Sequence, residues 1–363
     1  MVEHCLHTAG ATGSSPVPPT RNYKDLRLIP QVLFGLMRTA GFHARAIMKK
    51  YAILLLLLVA LMAAGIALGQ VSLFPLTEDS ISILLNFRLP RVVFSVVNGA
   101  TLALAGVLYQ IALRNPMADG FTTGAASSAA FGGCLALVLW GSSLLVSLCA
   151  ILSATLGIFV VRQISSRTGD GARVTIILAG IALSVIAGSG ISFLKYFFED
   201  SVSTMVFWLM GGLYAATWEK IGVLLATFAP AFFLLWKTRR RLALLFLDDS
   251  SAAASGVHVR KMREGLFVVT TILVAMSVSY CGVIGFLGLM IPHAVRALIG
   301  HDITTQLVCA PLLGAAALVL FDLLSRLVLP YGGELPVGII TSVAGGVFFF
   351  FLLMRKGNRV WGS

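Results

Sequence analysis

The sequence predicts an all-α polytopic membrane protein of about ten spans, and three features carry that prediction. Its 363 residues are 58% hydrophobic and only 12% charged, about half the charge of a soluble domain, and the mean hydropathy is +0.94. Apolar runs near the span length of about 20 residues recur at 51–73, 92–113, 121–140, 143–161, 174–194, 219–236, 266–281, 283–299, 303–325 and 335–354. With the N-terminus inside, of 27 Lys and Arg only Arg88, Arg91, Lys195, Lys220 and Arg326 fall outside, as the positive-inside rule requires. Both termini are therefore expected in the cytoplasm. The net charge of +12 follows from this asymmetry and does not indicate a nucleic-acid partner.

Residues 1–36 are rich in Gly, Ser, Thr and Pro without periodicity, and read as a disordered, dispensable tail. Met37 or Met48 would serve as a start, and the transmembrane domain occupies 37–363. Lys49-Lys50 ahead of an apolar stretch imitates a secretory signal but reads as an uncleaved first span. From Leu266 the chain has no charge before Arg296. One helix over Leu266–Ile299 would be about 51 Å long, against a bilayer core of about 30 Å, so a break is expected at Gly282, Gly285 or Gly288. Merging the two halves would also throw Arg355, Lys356 and Arg359 outside. Ser201–Trp218 is divided by Gly211-Gly212 and bracketed by Trp208 and Trp218, which predicts a short helix at the membrane surface.

The longest polar interruption is Trp236–Gly265. Lys237, Arg239, Arg240 and Arg241 close one apolar run, and Arg260, Lys261 and Arg263 open the next. Between them Asp248 or Asp249 can cap a short Ser/Ala helix that Gly256 stops. This predicts a small helix-turn-helix over 237–265, held at the cytoplasmic face by flanking charge.

No G-x-x-x-x-G-K-[ST], H-E-x-x-H or G-x-S-x-G pattern occurs, which leaves no visible means of hydrolysing ATP, cutting a bond or holding a cofactor. No C-x-x-C pair occurs among the five cysteines, so neither a disulfide framework nor a zinc site is indicated, and the cysteines read as small apolar filler. Asp322 lies clearly within a span, with Arg326 four residues on and on the same helical face. None of the six histidines falls outside, so no proton relay and no outward metal or haem ligand is visible. Arg88-Leu89-Pro90-Arg91 stands at the outer mouth of the second span. Pro90 suits a helix start, and two guanidiniums there form a fork-shaped receptor for carboxylates or, alternatively, two snorkelling anchors.

Several blocks recur in a recognisable order. They are RLPR at 88–91, GATLALAG at 99–106 with Gln110, and Arg114-Asn115-Pro116-Met117-Ala118-Asp119, followed by Trp208-Leu-Met-Gly-Gly-Leu. The turn around Gly256, Gly285-Phe-Leu-Gly-Leu-Met-Ile-Pro292-His293, Asp322 to Arg326, and Glu334-Leu-Pro336-Val-Gly338 with Thr341 complete them. Over about residues 50–355 the chain resembles the FecCD family, the iron-chelate and vitamin B12 uptake permeases of ABC importers. Asn98 departs from it, being polar where the family usually has an aliphatic residue.

The resemblance implies a type II ABC importer permease fold in a bacterial inner membrane, and a homodimer with a path along its axis. Two ATP-binding subunits would sit on the cytoplasmic face and a periplasmic substrate-binding protein outside. The chain would be no enzyme and hold no cofactor, ATP hydrolysis belonging to the separate subunit. By motif position Arg88, Arg91 and Arg326 would receive the binding protein's carboxylates. Asp249, Ser250, Ser251 and Ala254, the turn Ser255-Gly256, and Val257, Val259 and Arg260 would couple to the ATPase. Asn98, Asn115, Pro116, Pro292 and His293, with Glu334, Pro336 and Gly338, would shape the structural and translocation core. The expected substrate is an iron–siderophore, with haem or cobalamin as alternatives. Two other classes stay open: an ion-gradient-driven secondary transporter, marked by mid-membrane carboxylates or paired broken helices, and a non-transporting membrane receptor or assembly factor.

Overall fold

A computed structural model describes residues 28–69, 77–167, 172–245, 249–329 and 333–355, and its regular elements are all helices. The chain divides into Met1–Lys49 and Lys50–Ser363. In the first unit, residues 28–49 belong to α1 (Leu28–Ala67), so residues 28–36 of the expected tail are helical, while residues 1–27 lie outside the described residues. After α1 come α2 (Glu78–Ile83), a π turn at Leu84–Arg88, α3 (Leu89–Leu113), α4 (Ala125–Leu139), α5 (Ser143–Ser165) and α6 (Ala172–Phe197). Then follow α7 (Val202–Leu209), α8 (Trp218–Leu244), α9 (Asp249–Ala254), α10 (Val259–Cys281), α11 (Leu287–Leu298), α12 (Ile303–Leu327) and α13 (Val337–Arg355).

Among the described residues, eight helices are long and apolar enough to cross a membrane. Each of the ten expected spans has a helix, but α4 and α11 have only 15 and 12 residues. At 1.5 Å per residue they reach about 22 and 18 Å, short of the bilayer core.

The second span begins with a capping box. Thr77 Oγ1 accepts from the Ser80 amide at 3.3 Å and Ser80 Oγ from the Thr77 amide at 2.7 Å, satisfying two donors that a helix start leaves open. Pro90 follows within the same continuous rod. Its missing N–H would interrupt an α-ladder, and the π turn just before it absorbs the irregularity.

Helix α3 is buried from Val97 to Leu113, packed by α12, α10, α11 and α8. A helix apolar all round belongs in such a centre. Small residues bring the neighbours close: a Cβ on Gly99 would strike the Gly314 carbonyl of α12, and one on Gly106 the Gly288 carbonyl of α11. This is the small-residue contact that drives helix association in lipid. Gly106→Ala is therefore expected to cost about 1–3 kcal/mol through overpacking, read as a lower unfolding midpoint in detergent. Gly188→Ala on α6, where a Cβ meets nothing within 4 Å, should leave the midpoint unchanged; equal midpoints for both variants would contradict the packing.

The break expected in Leu266–Ile299 falls at Gly282, with φ 67° and ψ −154°, a region essentially open to glycine alone. Its bare Cα also admits the Trp208 carbonyl. The expected surface helix is α7, which ends before Gly211, and Trp218 opens α8 instead. The Gly212 amide donates to the Cys281 carbonyl at 2.8 Å, and a Cβ on Gly338 would strike the Met210 carbonyl. The Trp208–Leu213 block, the α10–α11 break and the start of α13 thus meet backbone to backbone.

Candidate functional site

The arginines expected on the outer face converge on the end of α1. A helix C-terminus leaves its last carbonyls unsatisfied and carries partial negative charge. Arg88 Nη1 donates to the carbonyls of Ile66 and Ala67 at 2.9 and 3.1 Å. Arg326 Nη1 donates to those of Gly65 and Leu68 at 3.1 and 3.4 Å. Two guanidiniums thereby cover four consecutive carbonyls. Arg91 lies between them: its Nε donates to Asp322 Oδ1 at 2.9 Å, and its Nη1 to both oxygens of Glu334 at 3.1 and 2.8 Å. Arg326 Nη2 approaches Asp322 Oδ2 at 3.2 Å. Three cations thus face two carboxylates, a formal charge of +1.

Both Arg88 and Arg91 turn onto protein partners. Arg88 and Arg326 are 7% and 5% exposed and Asp322 1%, so the expected pairing of Asp322 with Arg326 is a buried one. The Arg91–Glu334 pair is what reaches the surface, the Glu334 side chain being 39% exposed. Beside it opens a cavity of about 200 Å³ walled by Phe207, Tyr214, Leu335 and Pro336.

At the opposite end, α9 closes with a Schellman motif. Gly256 adopts φ 80°, its amide donates to the Ala253 carbonyl at 2.9 Å, and the Val257 amide reaches back to Ala252 at 3.3 Å. These are the two bonds such a cap makes, and Val257 and Ala252 are buried beneath it. Ser251, Ala254, Ser255 and Gly256 face outward. Asp249 is the first residue of α9; Asp248 lies outside the described residues. Val259 is half-buried at the start of α10, and Arg260 Nε donates to Glu264 at 3.2 Å.

The Asn115–Asp119 block is a rigid turn after α3. Arg114 ends that helix at φ 46°, and its Nε donates to the Leu245 carbonyl at 2.8 Å. Asn115 Oδ1 accepts from the Met117 amide at 2.8 Å, an Asx turn across exposed Pro116. Asp119 Oδ1 accepts from the amides of Phe121 and Thr122 at 3.1 and 2.8 Å. Burial pushes this carboxyl above the usual aspartate range, and those bonds pull it partly back.

The remaining core residues do not form one cluster. Asn98 crosses from α3 to α10, donating to Cys281 Sγ at 2.8 Å and accepting from Ser277 Oγ at 2.6 Å. Cys281 is therefore no mere filler. Ser277 and Cys281 escaped the sequence reading, although their i, i+4 spacing on a buried face could have marked them. Pro292 is buried in α11, and His293 bonds the Leu289 carbonyl through Nδ1 at 2.9 Å, with its ring against Phe349. Glu334, Pro336 and Gly338 belong to the outer corner, where Thr341 Oγ1 donates to the Gly338 carbonyl at 3.1 Å.

Known proteins resemble this chain over most of its length. The chain is 35% identical over 327 residues to the hemin transport system permease protein HmuU of Yersinia pestis, covering 86% of this chain and 97% of that protein. It is 33% identical over 287 residues to the cobalamin import system permease protein BtuC of Halobacterium salinarum, covering 79% and 77%. A solved inward-facing conformation of an ABC transporter assigned to the metal-chelate type matches with TM-score 0.78 at 31% identity, over 85% of this chain and 99% of that one. A profile of the FecCD transport family matches residues 50–355, from the first span to the last, and the chain belongs to that family as a multi-pass membrane permease and not an enzyme.

Proposed function

We propose that this chain is the permease subunit of an ABC importer that carries a metal chelate inward across a bacterial inner membrane. The observation that carries the reading is α9, a short helix with an outward face and a fixed cap, set between the end of α8 and the start of α10, which the charge bias would put in the cytoplasm. A separate ATPase subunit would grip that knob. The chain's own lack of a phosphate-cradling loop makes such a partner necessary for ATP-driven transport. Two copies of the chain would form the path along their common axis. An iron–siderophore is the substrate favoured here, because no histidine falls on the outer face to ligate haem iron.

Proteoliposomes holding this chain, its ATPase and its binding protein are expected to accumulate a ferric siderophore only with ATP inside. Uptake driven by an ion gradient without the ATPase would establish a secondary transporter instead. A chain starting at Met37 should support the same uptake, since the tail precedes every span; a large loss at equal expression would refute its dispensability.

The binding protein would dock over the outer corner, where the surplus positive charge favours an acidic partner. Arg88 and Arg326 contribute there through the field they add, and Arg91 by exchanging Glu334 for a carboxylate of the partner. Glu334→Ala should then raise binding-protein affinity several-fold in nanodiscs at low salt, and the gain should shrink at high salt. An affinity that Glu334→Ala lowers or leaves unchanged would remove Arg91 from the docking surface.

A further inference from the structure

Where α5 ends and α10 begins, a groove of about 560 Å³ opens between them. Its walls are apolar, with Ile158 and Phe159 on one side and Phe267 and Ile272 on the other. Phe159 is 54% and Ile272 40% exposed, so these walls face the surroundings of the bundle. The rim is charged: Arg162, Arg260 and Arg263 stand against one carboxylate, Glu264. Glu264 takes Arg162 at 2.9 Å and Arg260 at 3.2 Å. Two cations share that carboxylate, so Arg162, Arg260 and Glu264 together leave a formal +1, and Arg263 lines the same rim.

Depth decides what such a groove can hold. Arg162 lies in the last turn of α5 and Arg260 in the first turn of α10, at the cytoplasmic ends of two spans and hence at headgroup level. Ile272 lies about 18 Å along α10 from Arg260, a distance an acyl chain covers. A water-soluble partner cannot wet walls at that depth, and a free anion would leave them uncovered. A zwitterionic lipid would bring its own ammonium to a cationic rim.

We propose that this groove binds an anionic phospholipid of the cytoplasmic leaflet, its phosphate held by Arg162, Arg260 and Arg263 and its acyl chains lying along Ile158, Phe159, Phe267 and Ile272. The site follows from charge and depth and does not rest on the transport reading. Basic pockets between spans on the cytoplasmic side are where acidic headgroups bind.

The test is native mass spectrometry of the full chain, released from detergent micelles doped equally with dioleoyl phosphatidylglycerol and dioleoyl phosphatidylcholine. Retained phosphatidylglycerol is expected to exceed phosphatidylcholine about fivefold or more. Arg260→Gln with Arg263→Gln should abolish that preference, and Arg260→Lys with Arg263→Lys should keep most of it. Val268→Trp, which fills the groove from a wall position and leaves the arginines in place, should reduce retention of both lipids; it also decides the matter if the glutamine variant fails to fold. Equal retention of the two lipids by the native chain, or an undiminished preference in the glutamine variant, overturns the proposal. So does displacement of phosphatidylglycerol by millimolar inorganic phosphate, which would make the rim a free-anion site. Loss of the lipid on dimerisation or on adding the ATPase would assign the groove to a protein interface and overturn it equally.

Discussion

Asp322→Ala is expected to destabilise the outer corner by about 3–5 kcal/mol, the cost of leaving buried charge without its partner. Asp322 is 1% exposed and touches Arg91 at 2.9 Å and Arg326 at 3.2 Å. Without it, Arg91 retains Glu334, but Arg326 loses its carboxylate at 3.2 Å while its positive charge stays almost fully buried. The end of α1 depends on that guanidinium, so the loss should spread from α12 to the first span. Asp322→Asn keeps the shape and one acceptor and should cost less. Asp322→Leu combined with Arg326→Leu removes both charges and should recover part of the loss, because the Arg326 cation is no longer buried without its carboxylate. The check is the thermal unfolding midpoint of the three variants in detergent, with protease sensitivity after α1 as a local readout. A midpoint for Asp322→Ala equal to that of the native chain would show that water already reaches this pair.

The sequence made the helices legible, but not which side chains meet across them. The apolar runs marked a helix for each expected span, eight of them long enough to cross a membrane among the described residues, and length and charge together called for an interruption at Gly282, Gly285 or Gly288. The Gly256 stop was readable because a glycine after a Ser/Ala run has few other uses. Two spans came out too long for a physical reason: 121–124 is uncharged and 283–286 apolar, but both lie outside the helices, the second flanked by positive φ at Gly282 and Phe286. Hydropathy counts such residues as membrane although their backbone is not helical.

The arginines were harder to read. Arg91 and Asp322 are separated by 231 positions, and the bonds from Arg88 and Arg326 to the carbonyls at the end of α1 leave no mark in a sequence. A reading from residue types alone therefore pointed these guanidiniums outward. Asn98 looked like a departure from its family for a similar reason, since its compensating partners, Ser277 and Cys281, sit on another helix.

Gly256→Val is expected to separate folding from transport. At φ 80° a valine is strained by about 1–2 kcal/mol, yet a Cβ at this position meets nothing within 4 Å, so the penalty is conformational and not steric. The chain escapes it by giving up the cap. The Gly256–Ala253 and Val257–Ala252 bonds break together, Val257 leaves its buried place, and α9 loses its fixed angle to α10. No span packs on Gly256, so the unfolding midpoint of the membrane domain should stay close to native. If α9 is the knob that the ATPase grips, ATP-driven uptake should fall at least about tenfold, because a misplaced element loses the geometry that coupling needs, while the ATPase continues to hydrolyse nucleotide. Gly256→Asn provides the contrast, since asparagine tolerates the left-handed region and should retain most uptake. The measurement is uptake and ATP hydrolysis in the same proteoliposomes for all three chains. Equal uptake by the valine and native chains would reduce the cap to an ordinary loop and take α9 out of the coupling path.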